Sequence, residues 1–573
     1  MSLPTAVRVG VQFSFCALVI STISVSGSGA EAIPKHDTSE WIGASYTPSS
    51  ASNSLWWWNY SHHEDEVKRE LSWARQQFGF TALRMFLHSM VYEGDNGTTL
   101  IEAISRFLLV ADSNNIGVGF VFFDDCWSTS GANLSSPCQP VKGRHNGCWK
   151  TSPQAKDRTT VDRYQPYVSN VASKFKDDKR VLWWEIYNEP HTTLAPKGYS
   201  IALRQAAYTW LKKSNVSQPV LSCWDDNNDT DIVDTHHYSS DFTGWTSAVY
   251  SNPDKGAVVT EAGSRWYQGY PSDSGSTLMV VTWLQALRQL HANWLAGKEP
   301  CSVAGHNVTF VPGAMISWEL MVGNSNTRWH WNTKDGSPEP AIPWDAHLFP
   351  DGTPVSLTEA AALRNLTTEQ DEFLYYNTSL PVSAMLTQDS YLNMTVKYEY
   401  IPWIAGLKAP MTDAVAEAAI WVGEKANTAG LIMRQRWTVK STQAGYYVGV
   451  NVGSKTLSVA RWTPNHSPLL GTYDLSKREN GLILNGWNLL RVAIVGNITS
   501  VWFNPAHSDA VSEDGSPQPI KPLIVAGDVP DDPEYIPSGD LGLITLDENM
   551  KVDYVSVLPI SALPPSVLAR TNS

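Results

Sequence analysis

Residues 182–190 read Leu182-Trp183-Trp184-Glu185-Ile186-Tyr187-Asn188-Glu189-Pro190. Aromatic and branched side chains fill the run, which predicts a strand over Leu182–Tyr187 closed off by proline. On either side lie amphipathic stretches of helical spacing, Tyr167–Phe175 before and Ile201–Leu211 after. The alternation continues outward in both directions. Strands are predicted over Trp41–Tyr46, Thr81–Leu87, Gly117–Phe123, Val220–Trp224, Ile232–His236, Ala257–Thr260 and Ala314–Trp318. Further helices are predicted over Glu64–Phe78, with Val67, Leu71 and Ala74 on one face, and over Leu100–Val110 and Val280–Ala296. Eight strands alternating with helices over about 300 residues predict a parallel (β/α)8 barrel. A doubly wound sheet would alternate likewise, but no G-x-G-x-x-G or Walker loop follows an early strand, so nucleotide binding has no support.

Beyond residue 320 the texture changes. Asp351-Gly352 marks a turn, and Val355–Leu366 reads as a last helix packed on the barrel. From about residue 375 short β-rich runs dominate: Met394–Tyr400, Ala418–Val422, Gly430–Met433, Tyr446–Val452, Leu490–Val495, Ser500–Phe503 and Val552–Val557. They predict an all-β sandwich. The expected organisation is a leader over 1–32, a barrel over 33–370 and a sandwich over 375–573.

The chain has 573 residues, 25 of them tryptophan, and only 17% are charged. A net charge of −14 argues against a phosphate-backbone partner, so no nucleic acid is expected. Arg8 precedes an apolar run from Phe13 to Val25, and Ala30-Glu31-Ala32 offers a cleavage site, as in a secretory signal peptide. The run is shorter than the about 20 residues a membrane span needs, and no later stretch qualifies. Sequons at Asn59, Asn96, Asn133, Asn215, Asn228, Asn307, Asn365, Asn377, Asn393, Asn465 and Asn497 suit a secreted, extracellular glycoprotein. With Cys16 removed in the leader, Cys126, Cys138, Cys148, Cys223 and Cys301 remain, an odd number that leaves a thiol over. Three of them, Cys126, Cys138 and Cys148, lie close together, and a local disulfide is expected among these three. A zinc site with His145 as fourth ligand lacks close C-x-x-C spacing.

In such barrels the working residues cluster at the C-terminal strand ends. Strand four ends at Glu189, and strand seven ends in Val258-Val259-Thr260-Glu261-Ala262-Gly263. Two facing carboxyls are what glycosidic-bond hydrolysis needs, one to protonate the leaving oxygen and one to attack or stabilise the oxocarbenium-like centre. Their pKa values are expected to separate, one raised and one low.

Trp-Glu-Ile-Tyr-Asn-Glu-Pro followed by Thr-Glu-Ala-Gly resembles clan A glycoside hydrolases, most of all family five. Leu83-Arg84-Met85-Phe86, Asp234-Thr235-His236-His237-Tyr238 and Gly313-Ala314-Met315-Ile316-Ser317-Trp318-Glu319-Leu320 resemble its strands two, six and eight. The resemblance covers residues 41 to about 365. It implies Glu189 as acid/base, Glu261 as nucleophile, and Asn188 on the sugar 2-hydroxyl. Arg84 and Tyr238 would contact Glu261 and keep it ionised, His236 would orient the acid/base side or a substrate hydroxyl, and Trp318 would stack on a pyranose. It also implies retention, with the carboxyls about 5–5.5 Å apart, and no metal or organic cofactor. Phe122-Phe123-Asp124-Asp125-Cys126-Trp127 departs from the family, many of whose members carry a histidine there, and leaves Asp125 or Trp127 to line the site.

Bland readings stand beside these. Glu185 reads as a buried structural carboxylate, Glu319 as an ion-pair partner or cap, and His237 as facing away. Most tryptophans read as core, with a few sugar platforms among Trp56, Trp57, Trp58, Trp127, Trp224, Trp266, Trp329 and Trp331. The expected activity is hydrolysis of β-linked oligo- or polysaccharides. The Trp-Glu-x-x-Asn-Glu-Pro form resembles β-mannanases and points to β-mannan, with β-glucan beside it. Transglycosylation, a glycolipid substrate and a non-catalytic carbohydrate-binding barrel are the alternatives. A monomer is expected. Gly430–Met433 and Gly445–Val450 resemble a laminin-G-type lectin sandwich, so that domain reads as either a carbohydrate-binding module or a brace.

Overall fold

The computed structural model describes residues 38–126, 133–136, 138–154, 157, 159–190, 197–223, 229–238, 255, 257–269, 277–295, 314–368, 392–394, 412–437, 443–463, 466–538, 540–546 and 550–560. The leader, Trp127, Trp224 and Cys301 lie outside the described residues.

Eight strands close a parallel barrel in sequence order: β1 (Ile42–Ser45), β2 (Ala82–Phe86), β3 (Gly117–Asp124), β4 (Val181–Asn188), β5 (Val220–Cys223), β6 (Ile232–His237), β7 (Ala257–Ala262) and β8 (Met315–Ser317). Helices α1 (Tyr60–Phe78), α2 (Ser89–Asp95), α3 (Thr98–Ser113), α4 (Gln165–Phe175), α5 (Lys197–Lys213), α6 (Met279–Leu295) and α7 (Leu357–Thr368) come between or after them. Helix α1 begins four residues before its expected start. A 3-10 turn, Ser54–Asn59, leads into it, with the Asn53 side chain accepting from Leu55 N. That turn carries Trp56 and Trp57 into the core against Phe107, so they are packing residues rather than sugar platforms. The helix stops at Gly79, whose φ of 71° is left-handed and suits glycine.

Side chains two apart on a strand share a face and rise by about 6.6 Å. That periodicity builds the barrel interior in tiers. Ala82, Trp183, Leu221, Ile232, Val258, Ala314 and Ile316 form an apolar floor. Trp183 fits there because β3 has Gly119 opposite, where a Cβ would lie 1.8 Å from the indole. Two residues further along their strands stand Arg84, Glu185, Cys223, Asp234 and Thr260, all buried.

The sandwich has a six-stranded sheet, β17-β16-β15-β10-β19-β9, and a five-stranded sheet, β14-β13-β12-β11-β18. The first is made of Ile524–Gly527, Ile498–Phe503, Gly486–Val495, Ala414–Val422, Met550–Pro559 and Leu392–Met394 in that order. The second is made of Leu469–Asp474, Thr456–Trp462, Gln443–Asn451, Thr428–Trp437 and Asp540–Leu546. Strand β10 reads Ala-Val-Ala-Glu-Ala-Ala-Ile-Trp-Val because both its faces are covered. Ala416, Ala418 and Ile420 face the sandwich core, while Val415 and Ala419 join the barrel's own core.

Glu417 on that second face is fully buried. It accepts from Arg491 Nε at 2.9 Å, Ser356 Oγ at 2.7 Å and Tyr554 Oη at 2.9 Å. It also takes the N–H groups of Leu357 and Thr358, both at 3.1 Å. A sandwich carboxylate therefore satisfies the open N-terminus of α7, the last helix on the barrel.

Cys138 and Cys148 are disulfide-linked, and Cys126 and Cys223 are thiols. The expected local disulfide is therefore Cys138–Cys148, and His145 hydrogen-bonds the Trp329 carbonyl at 2.6 Å. Among the sequon asparagines, Asn59, Asn96, Asn133 and Asn215 are exposed, and Asn365 and Asn497 are half-buried. No helix among the described residues is long and apolar enough to cross a membrane.

Candidate active site

Two departures from regular geometry bring the glutamates inward. Between β6 and β7 the register shifts, with Thr235 opposite Val259 but His236 opposite Glu261. The extra residue, Thr260, donates to Asp234 inside the barrel, and its neighbour Glu261 also faces in. A bulge permits this where strict alternation forbids it. At β4 the next residue, Glu189, has φ 44°. That left-handed backbone costs a non-glycine residue roughly 1 kcal/mol, and it lets Asn188 and Glu189 reach the same pocket.

Arg84 is the hub. Its Nη1 donates to Glu261 Oε2 at 2.7 Å, its Nε to Glu185 Oε2 at 2.8 Å, and its Nη2 to Asn188 Oδ1 at 2.6 Å. Burial opposes its charge, but Glu185 and Glu261 outweigh that and hold the guanidinium well above its usual range. Tyr238 Oη donates to the other oxygen of Glu261. Burial, then the Glu261 charge, pushes the Tyr238 hydroxyl well up, so it stays a donor.

His236 Nδ1 lies 2.9 Å from Glu189 Oε1 and 3.7 Å from Glu261 Oε2. Its Nε2 meets Cys223 Sγ at 3.3 Å. Burial disfavours the imidazolium, but Glu261 and Glu189 overcome this and raise its pKa to about 9. Burial pushes Glu189 upward, yet the His236 hydrogen bond and charge, the Cys126 thiol and Arg84 bring it below its ordinary value. The expected raised acid is therefore not seen at Glu189. The proton of the Glu189–His236 pair rests on the imidazole.

Carboxylate oxygens of Glu189 and Glu261 and the nearer His236 nitrogen all lie within 4.8 Å of one another. Trp318 is buried against Phe86 and Trp149, with ring centroids 5.6 and 5.9 Å away. The structure thus brings together Glu189, Glu261, Arg84, Asn188, His236, Tyr238 and Trp318.

Other residues fall differently. Glu185 is the buried partner of Arg84. His237 stacks on Trp283 of α6 at 4.7 Å, away from the pocket. Glu319 is neither an ion-pair partner nor a cap. No cation pairs with it among the described residues, it accepts from Ser325, and burial lifts it to about 8. Asp125 does not line the site, because Tyr187 Oη at 2.9 Å and Ser200 Oγ at 2.5 Å hold it outside. Its neighbour Asp124 faces in, opposite Asn188 in the β3–β4 register. Sequence reasoning missed Asp124, Trp149 and Trp344. Trp266 packs on Trp421 of the sandwich, and Trp331 lies edge-on to Tyr238 and Trp344.

Fold and pocket together define a (β/α)8 barrel with paired carboxylates at its strand tips. No family model and no curated protein matches the chain. Among solved structures, GH5_18 from Streptomyces cattleya in complex with GlcNAc is similar at 12% identity over 58% of this chain and 82% of that one, with a TM-score of 0.35. The exo-beta-1,4-mannosidase Op5Man5 from Opitutaceae bacterium strain TAV5 gives 14%, 50%, 55% and 0.33 in the same order. The carbohydrate binding module CBM66 from Bacillus subtilis gives 14% over 26% of this chain and 77% of that one, at 0.20.

Proposed function

We propose that this chain is a retaining β-glycoside hydrolase acting on β-linked oligo- or polysaccharides of the β-mannan or β-glucan type. The observation that carries the reading is the approach of the two glutamates, with a carboxylate oxygen of each within 4.8 Å. Retention needs the carboxyls about 5–5.5 Å apart, whereas inversion needs about 6.5–9.5 Å to seat a water between them. Glu261, oriented by Arg84 and Tyr238, attacks the anomeric carbon. The Glu189–His236 pair supplies the proton to the leaving oxygen, and Glu189 then takes a proton from water as the glycosyl-enzyme is hydrolysed. Asn188 serves the 2-hydroxyl and Trp318 the apolar face of the ring. The apolar run after Arg8, the sequons and the Cys138–Cys148 disulfide support secretion. The sandwich acts as a brace.

The first test assays the protein on β-mannans, β-glucans, xylan and aryl β-glycosides, with Glu261→Gln as control. Turnover of a β-linked substrate, lost in the variant, is expected. Failure on all of them, with sugar binding unchanged by the substitution, would leave a carbohydrate-binding barrel.

The pair's proton also sets a pH dependence. It is held below about 9, the raised value of His236, and is lost as pH rises through it. kcat/KM should therefore fall about tenfold per unit above that point. In His236→Gln the alkaline limb should move to lower pH, where Glu189 alone releases its proton. A limb unmoved by that substitution would place the proton elsewhere.

A further inference from the structure

Asp124 is buried, and three donors converge on its two oxygens. Asn188 Nδ2 reaches Oδ1 at 2.8 Å, the Cys126 backbone N–H reaches the same oxygen at 2.9 Å, and Trp149 Nε1 reaches Oδ2 at 2.7 Å. The Asn188 amide is gripped from both ends. Its Oδ1 accepts from Arg84, so the amide cannot flip without setting its NH2 against the guanidinium. Asp124 occupies one Nδ2 hydrogen and leaves the other for a ligand. The same carboxyl fixes the Trp149 indole, whose ring stands edge-on to Trp318 at 5.9 Å, with an interplanar angle of 77°. Trp149 follows Cys148 of the disulfide directly, which anchors the segment carrying it.

We propose that Asp124 is a positioning residue that locks the Asn188 amide, so that its second N–H addresses the sugar 2-hydroxyl, and holds Trp149 as a second aromatic wall facing Trp318. The inference rests on the glycosidase reading and adds a residue that the family resemblance did not supply. The donor set suits a carboxylate, since Asp124 has no acceptor to meet among these three contacts. Burial nonetheless pushes its pKa up to about 8, against the Asn188, Trp149 and Cys126 hydrogen bonds. An asparagine at this position must turn an NH2 toward either Trp149 or Asn188, donor against donor.

The experiment is a cycle between the protein and the substrate hydroxyl. Wild type, Asp124→Ala, Asp124→Asn and Asp124→Asn with Trp149→Phe are assayed on one aryl β-glycoside and its 2-deoxy analogue. In Asp124→Ala, kcat on the parent glycoside should fall about 10- to 100-fold, with KM within about threefold, because the contact strengthens in the transition state. The parent-to-deoxy rate ratio should shrink by the same factor. Asp124→Asn should lose part of this ratio, and adding Trp149→Phe should restore some of it, because the indole donor is gone. Equal losses on both glycosides in every variant would make Asp124 a packing residue and overturn the proposal. Glu261→Gln on the same substrates separates the two ideas. Without Glu261-dependent turnover in wild type, the enzymatic reading and this inference fall together. With such turnover and an unchanged ratio, only the role of Asp124 falls.

Discussion

Glu261→Ala is expected to lower turnover of an activated aryl β-glycoside by about ten-thousand-fold or more, the scale on which removing a nucleophile acts. Azide should then restore part of the rate and yield an α-glycosyl azide. The anion enters the space left by the carboxylate, attacks the anomeric carbon from that face and displaces the phenolate once, so configuration inverts. Glu189→Ala should behave oppositely. An activated leaving group departs without a proton, the glycosyl-enzyme on Glu261 forms, and azide attacks it from the other face to give the β-azide. Product configuration by NMR distinguishes the two. A β-azide from Glu261→Ala would reverse the roles. The geometry favours the order stated here, because Arg84 and Tyr238 both hold Glu261 while His236 sits closer to Glu189.

The second large effect is on stability. Glu417 is a buried anion shared by Arg491, the start of α7 and Tyr554. Glu417→Ala leaves a buried guanidinium without its counter-ion and two helix N–H groups without an acceptor. A loss of about 3–5 kcal/mol is expected, read as a lower denaturation midpoint. Glu417→Ala with Arg491→Met should recover part of it, since removing both charges is less costly than removing one. Burial raises the Glu417 carboxyl, but Arg491 and the surrounding hydrogen bonds bring it below its ordinary 4.5. Its contribution is thus full above that value and is lost as pH falls through the lowered one. The gap between wild type and Glu417→Ala should narrow in acid. Equal stability of the two at neutral pH would contradict the reading. Because Val415, Ala419, Trp487 and Tyr554 join the barrel's core, barrel and sandwich should unfold in one calorimetric transition.

The strands of the barrel were readable because aromatic and branched residues cluster there, and each expected strand lies within two residues of the observed one. The pairing of Glu189 with Glu261 across the pocket was legible only through the ordered set of strand-end motifs. Asp124 was not legible, since Asp124 and Asp125 look alike in a run. Only the β3–β4 register says which of them meets Asn188. Trp149 lies in a connection without periodicity, where spacing carries no directional information. In the sandwich, Thr456–Trp462, Leu469–Asp474, Ile524–Gly527 and Asp540–Leu546 went unseen. Leu469–Asp474 has no buried position and so lacks a hydrophobic face to reveal it. The start of α7 has a different origin, since Ser356 Oγ accepts from the Glu359 N–H, a side-chain contact that a hydropathy pattern does not register.

The apolar floor beneath Arg84 has a consequence for traffic. Among the described residues, Trp183 and its neighbours close the far end of the barrel, so the pocket opens at the C-terminal strand tips. On the proposed glycosidase reading, the aglycone would leave by the route that brought it, and water would reach the glycosyl-enzyme only after that departure. Any sugar waiting at the doorway competes with water for the same intermediate. On that reading, the balance between hydrolysis and transfer would turn on whether water or a sugar occupies the vacated entrance.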